Sequence, residues 1–221
     1  MGPEIVKTVV LLSGGLDSST LLYDLVDQGL DCYPLTIKYG QVHSKEVLAA
    51  RNISEALGLV TRWRLLDLSI LRAFLPSALT GVGAIPEGKY NAPSMAQTVV
   101  PGRNLTFLSI AAGYAEGLNC NQVAYAAHAG DHFIYPDCRP EFVEAAANAV
   151  FKSSGLLLLT PYLQIHKNNI VEIGSKLNVP YWMTWTCYKG GEKHCGKCGS
   201  CDERKEAFAK AGVKDPTIYE T

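Results

Sequence analysis

The sequence predicts an α/β fold: a parallel sheet with helices on both faces, followed by a cysteine-bearing C-terminal segment. Three observations carry this. Short apolar, β-prone runs alternate with stretches of helical length, the pattern of strand–helix–strand crossovers. With 221 residues, 48% hydrophobic and 19% charged, the chain has enough apolar side chains for a packed core and is not disordered. Four of its seven cysteines crowd into residues 187–201, which suits a metal in a reducing compartment better than a secreted disulfide framework.

Residues 5–12 read as a first buried strand. They lack the basic start and small-residue cleavage site of a secretion signal, so a cytoplasmic protein is expected. Residues 18–28 suit a helix and 31–39 a second strand. Residues 44–57 form another helical stretch, with Gly58 as its stop. A third strand is expected over 60–68, a helix over 104–116, a short strand over 122–127, and helices over 141–152 and 166–177. Residues 75–102 are rich in Pro and Gly, lack periodicity and are long for a loop, so they are expected as a lid-like segment. A last helix covers about 202–211. This divides the chain into an α/β domain over 1–180 and a cysteine-bearing segment over 181–221.

Some function classes drop out. No apolar run approaches the ~18 residues of a membrane span. Lys and Arg total 20 against 21 Asp and Glu, so no broad nucleic-acid footprint is expected.

Leu12-Ser13-Gly14-Gly15-Leu16-Asp17-Ser18-Ser19 lies where the first strand turns into the first helix. Two glycines permit a tight turn and a close backbone approach to a ligand. The helix start adds outward amides and about half a positive charge. Such a nest suits a pyrophosphate. It is neither a Walker A loop, having no lysine, nor a dinucleotide fingerprint. An ordinary turn capped by Asp17 or Ser18 is the bland alternative.

Cys187, Cys195, Cys198 and Cys201 are spaced C-x7-C-x2-C-x2-C. Four thiolates suit tetrahedral Zn²⁺ and leave no open position, so a structural zinc is expected, with an iron–sulfur cluster as the rival. His194, beside a ligand, is expected to be a solvated side chain.

Arg103 follows a Val-Pro-Gly turn and offers a planar fork for a carboxylate or phosphate. Tyr135-Pro136-Asp137-Cys138-Arg139 follows the strand expected at 122–127, and strand C-terminal ends are where open α/β sheets bind ligands. Asp137 and Arg139 either pair with each other or address a polar heterocycle.

The Ser-Gly-Gly-Leu-Asp-Ser-Ser string resembles the phosphate loop of the N-type ATP pyrophosphatases. Adding Tyr39-Gly40-Gln41, Val100-Pro101-Gly102-Arg103-Asn104, Tyr135-Pro136-Asp137-Cys138-Arg139, Thr186-Cys187-Tyr188 and the cysteines, in this order, the chain resembles the 7-cyano-7-deazaguanine synthase family from about residue 5 to 210. The resemblance implies a Rossmann-like, adenine nucleotide alpha hydrolase-like fold. It implies that 7-carboxy-7-deazaguanine, ATP and ammonia become the 7-cyano product through adenylated acid and amide, with Mg²⁺ and a structural Zn²⁺, in a homodimer. Residues 12–19 and Lys38 would hold the nucleotide. Asp17, Arg103 and Arg139 would serve catalysis. Arg103, Tyr135, Asp137 and Arg139 would bind substrate. His128 and His132 would assist deprotonation of ammonium or be structural, and Cys138 would pack against substrate. Phe133-Ile134 stands where many members of the family carry Ser-Gly, so a single-round enzyme stopping at the amide is the alternative, with a tRNA thiolase of the same superfamily behind it.

Overall fold

The computed structural model describes residues 5–90 and 93–220. Five strands form one sheet: β1 (Lys7–Leu11), β2 (Asp31–Lys38), β3 (Arg64–Asp67), β4 (Gln122–Ala124) and β5 (Leu157–Leu159). All neighbours are parallel, in the order β3-β2-β1-β4-β5. The helices are α1 (Leu16–Asp27), α2 (Lys45–Ala56), α3 (Arg103–Gly117), α4 (Pro140–Ser154), α5 (Lys167–Lys176) and α6 (Gly199–Ala211). The period-2 alternation of a strand sends Val9 and Val10 to opposite faces. Val9 joins a core with Leu108 of α3 and Val143 of α4. Val10 joins one with Leu22 of α1, Ile53 of α2, Ile170 of α5 and Phe208 of α6. The predicted two-faced sheet is thus the observed one.

Several local expectations change, among them the strand expected over 122–127, which ends at Ala124. The third strand is shorter than 60–68, because residues 60–62 are spent on a turn. β5 had no sequence signal, since three leucines are too few to show a period. The first helix begins at Leu16 with Gly15 as its N-cap, and neither Asp17 nor Ser18 caps it.

The segment over 75–102 holds short 3₁₀ turns at Ala78–Thr80 and Pro93–Thr98, with Leu79, Met95 and Val100 buried. It is stitched to the cysteine region by Gly88 N–H donating to Lys197 O at 2.9 Å and by a Lys189–Glu87 ion pair. Phe208 of α6 lies in the core that α1 and α5 share, so the apolar packing is continuous across residue 180. The outer limits of the two expected units, residues 1–4 and 221, and Asn91 and Ala92 of the lid-like segment, lie outside the described residues.

Candidate active site

β1 and β4 are neighbours, yet β1 connects onward to β2 on its other side, so the chain diverges between them. Their C-terminal ends open a crevice at this point, where α/β sheets take ligands. One cavity fills it, walled by the 12–18 turn, the end of β2, α2, α3 and the segment around Trp185.

Gly14 has φ +86°, and a Cβ there would stand 2.3 Å from the Glu46 carbonyl oxygen. Only glycine lets the turn lie against α2. Ser18 Oγ accepts from Ser13 N–H at 3.1 Å and lies 2.9 Å from Ser13 Oγ. No side chain caps α1, so its first amides and its dipole are left for an anion. Ser19 Oγ is buried without a partner among the described residues.

Asp17 faces a buried cluster that the sequence did not bring together. Lys167, the first residue of α5, puts Nζ 3.2 Å from Asp17 Oδ2 and pairs with Glu203 of α6. Burial opposes the charge of Lys167, but Asp17, Glu203 and Asp131 outweigh it and hold its pKa above the ordinary range. Asp131 accepts from the Tyr90 hydroxyl at 2.8 Å. His128 is 1% exposed, and its Nδ1 accepts from Gly130 N–H at 3.1 Å. Neutral His128 therefore carries its proton on Nε2, 3.4 Å from Asp131 Oδ2 and 3.9 Å from Asp17 Oδ2. Nε2 has no hydrogen-bond partner among the described residues. Among the described residues, Asp17 Oδ1 is buried without a partner, a donor atom suited to Mg²⁺.

Arg103 opens α3 and lines the cavity with its guanidinium 5.8 Å from the Tyr39 ring centre. Burial opposes its charge, and Tyr39, Tyr135, Asp137 and Cys138 more than restore it. Tyr135 also lines the cavity, its hydroxyl 2.8 Å from Thr98 Oγ1. Cys138 lines it too; burial pushes the thiol well up, and its Sγ lies 3.3 Å from Asn104 Nδ2.

Other expected residues sit elsewhere. Lys38 pairs with Asp67 at 2.9 Å on the outer strands and does not line the cavity. Asp137 Oδ2 accepts from Asn104 N–H at 3.0 Å, so this carboxylate fixes the start of α3. Arg139 Nε donates to His132 O at 2.9 Å and braces its own loop. Phe133 is exposed and Ile134 is in the core; neither lines the cavity.

The cysteine expectation gains its geometry. All four sulfurs are buried and lie within 4.8 Å of one another, so they could hold one metal ion. Cys195 Sγ accepts from the backbone N–H groups of Lys197 and Cys198, as a metal-bound thiolate does. His194 is not solvated: it is 6% exposed, its Nε2 accepts from Thr186 N–H at 3.1 Å, and its ring stacks on Trp185 at 4.3 Å. The adjacent cysteines draw the chain into a tight turn that buries it.

Sequence reading missed Lys167, Glu203 and Glu46, which meet the phosphate turn only in space. Lys167 had one usable signal, its place at the start of a predicted helix.

A profile of the queuosine biosynthesis protein QueC matches residues 7–212. A 7-cyano-7-deazaguanine synthase from Caldicellulosiruptor saccharolyticus is 50% identical over 217 residues, spanning 97% of this chain and 96% of that one. One from Methanoregula boonei is 49% identical, spanning 97% and 99%. Among solved structures, NMN synthetase from Francisella tularensis superposes with a TM-score of 0.55 at 18% identity, over 96% of this chain and 79% of that one, a likeness of fold alone.

Proposed function

Because the chain belongs to the queuosine biosynthesis QueC family, we propose that it is an ATP-dependent 7-cyano-7-deazaguanine synthase acting on 7-carboxy-7-deazaguanine and ammonia. The observation that carries the reading is the uncapped start of α1 behind the Ser-Gly-Gly-Leu-Asp-Ser-Ser turn, facing Arg103 across one cavity.

A carboxylate is a poor acyl donor until its oxygen becomes a leaving group. Substrate oxygen attacks the α-phosphorus of ATP, the bond to pyrophosphate breaks, and an acyl-adenylate results. Ammonia adds to the acyl carbon, AMP leaves and a proton is lost, giving the amide. In a second round the amide oxygen attacks the α-phosphorus of another ATP, the bond to pyrophosphate breaks, and the adenylated amide forms with loss of one N–H proton. Loss of AMP and the remaining N–H proton leaves the nitrile. Both rounds activate an oxygen on the same carbon, so one site serves both. This is C–N ligase chemistry.

The chain's share is positioning and charge stabilisation. Leu12, Ser13, Gly14, Gly15, Leu16, Ser18 and Ser19 cradle the phosphates. Lys167 supplies the cation that the turn lacks, held at Asp17 by Glu203. Asp17 and Asp131 are the carboxylates that would hold Mg²⁺, which when bound offsets charge on the leaving pyrophosphate. Arg103 faces the substrate carboxylate and Tyr135 the ring. Asp137 and Arg139 act on substrate through the start of α3 and the loop they brace. Lys38 would reach phosphate only by leaving Asp67. Cys187, Cys195, Cys198 and Cys201 would hold a structural Zn²⁺. A cytoplasmic homodimer completes the reading.

Mass spectrometry of 7-carboxy-7-deazaguanine with enzyme, Mg-ATP and ammonium tests it. The expected result is the nitrile with about two AMP per product, from the two rounds above. Amide with one AMP would limit the enzyme to a single round, and no AMP at all would sink the reading.

A further inference from the structure

The cavity contains a carboxylate that the reaction scheme above does not use. Glu46 stands in the first turn of α2 and lines the cavity. Its one hydrogen-bond partner among the described residues is Gln41, whose Nε2 donates to Oε2 at a long 3.5 Å. Among the described residues it forms no ion pair; Arg103 lines the same cavity beyond ion-pair distance. A half-buried carboxylate without a cation looks for N–H donors from a ligand.

The wall beside it is aromatic. The Tyr39 and Phe107 rings lie 5.6 Å apart and both line the cavity. Tyr39 N–H donates to Gln41 Oε1 at 2.9 Å, which orients the Gln41 amide toward Glu46. The two rings are tilted by 57°, and they line the same cavity as Glu46, so a heterocycle held against either ring lies in the space that the Glu46 carboxylate borders. The guanine-type edge presents two parallel donors, N1–H and the 2-amino group, which match two carboxylate oxygens. The adenine edge presents an acceptor beside a donor, which a carboxylate repels. Asp137, the other carboxylate expected to read this edge, is occupied by Asn104 N–H.

We propose that Glu46 is the specificity-determining carboxylate of the substrate ring, accepting from the N1–H and 2-amino donors of the deazaguanine. The assignment rests on the synthase reading above. It separates the ring's donor edge, held at Glu46, from its carboxylate substituent, held at Arg103.

The test compares 7-carboxy-7-deazaguanine with the analogue lacking the 2-amino group, in the wild-type enzyme and in Glu46→Gln, at pH 8. The wild type should prefer the amino-bearing substrate in kcat/KM by about 10- to 100-fold, since the analogue leaves the carboxylate short of a donor. Glu46→Gln should raise the KM for the acid, leave the KM for ATP unchanged and erase most of that preference. A wild type that uses both substrates equally overturns the proposal without any variant. So does a variant that keeps the preference, or one whose KM for ATP rises instead, which would put Glu46 at the nucleotide. A wild type that releases no AMP with either compound overturns the synthase reading and this assignment with it.

Discussion

The backbone N–H of Trp185 donates to the carbonyl of Gly14 at 2.9 Å. Two residues after Trp185 the chain reaches Cys187, whose carbonyl accepts from the Trp185 indole N–H at 2.8 Å. The cysteine cluster therefore braces the phosphate turn. Trp185 itself lines the cavity, so the brace is part of the site wall.

Metal removal should reach the nucleotide through that link. Stripping the cysteines with a chelator under reducing conditions, or making Cys198→Ser, should lower the melting temperature and weaken ATP binding at least about tenfold, because structural metal binding is folding free energy. Calorimetric titration with ATP checks it. Unchanged affinity in a metal-free, stable protein would show the brace to be idle.

Asp17→Ala should cut AMP formation by about 10²-fold or more while leaving the fold intact, since it removes a carboxylate that aims Lys167 at the phosphates. Radiolabelled pyrophosphate exchange and a melting curve read the two effects separately. Retained exchange would clear Asp17 of a catalytic role.

Arg204 is the most fully satisfied buried cation of the C-terminal region. It donates to Asp215, Thr184, Thr186 and the Tyr181 carbonyl and has no exposed surface. Arg204→Met should cost about 3–5 kcal/mol, because Asp215 and three oxygens lose their donor together. For a chain of this size that is a fall of roughly 10 °C in melting temperature. A fall below a few degrees would mean that water replaces the guanidinium.

The pH dependence of apo stability should carry the mark of Glu46. Burial raises its carboxyl from 4.5 to about 7 in the folded chain, with Arg103 and Gln41 pulling weakly the other way. The folded state then holds the proton more tightly than the unfolded state. Its contribution is favourable below pH 4.5 and is lost as pH rises toward 7, by about 1–3 kcal/mol. Glu46→Gln should therefore stabilise the ligand-free protein at pH 8 and make little difference near pH 5. Denaturation midpoints at the two pH values give the comparison, and an equal effect at both would contradict it.

Much of this was legible in the residue order. The strand–helix alternation, the phosphate turn and the cysteine spacing are local patterns, set by backbone sterics, side-chain periodicity and ligand spacing over a few residues. They were enough for the parallel sheet and for the family. Partner choice was not legible, because it depends on which oppositely charged or hydrogen-bonding atom is nearest in space. Lys38 and Lys167 are both lysines beside a strand end or a helix start, yet one is tied to Asp67 and the other stands at Asp17. Asp137 and Glu46 are both carboxylates near Arg103, yet an amide claims the first and the cavity leaves the second open. His194 is not needed as a fifth ligand beside four cysteines and is expected in solvent, yet it is buried against Trp185 and accepts from Thr186 N–H. The sequence by itself determined which chemical groups are present and which local shapes they take. Tertiary packing decided which of them line the cavity and which are tied off away from it, because that depends on which groups meet in space rather than on their order in the chain.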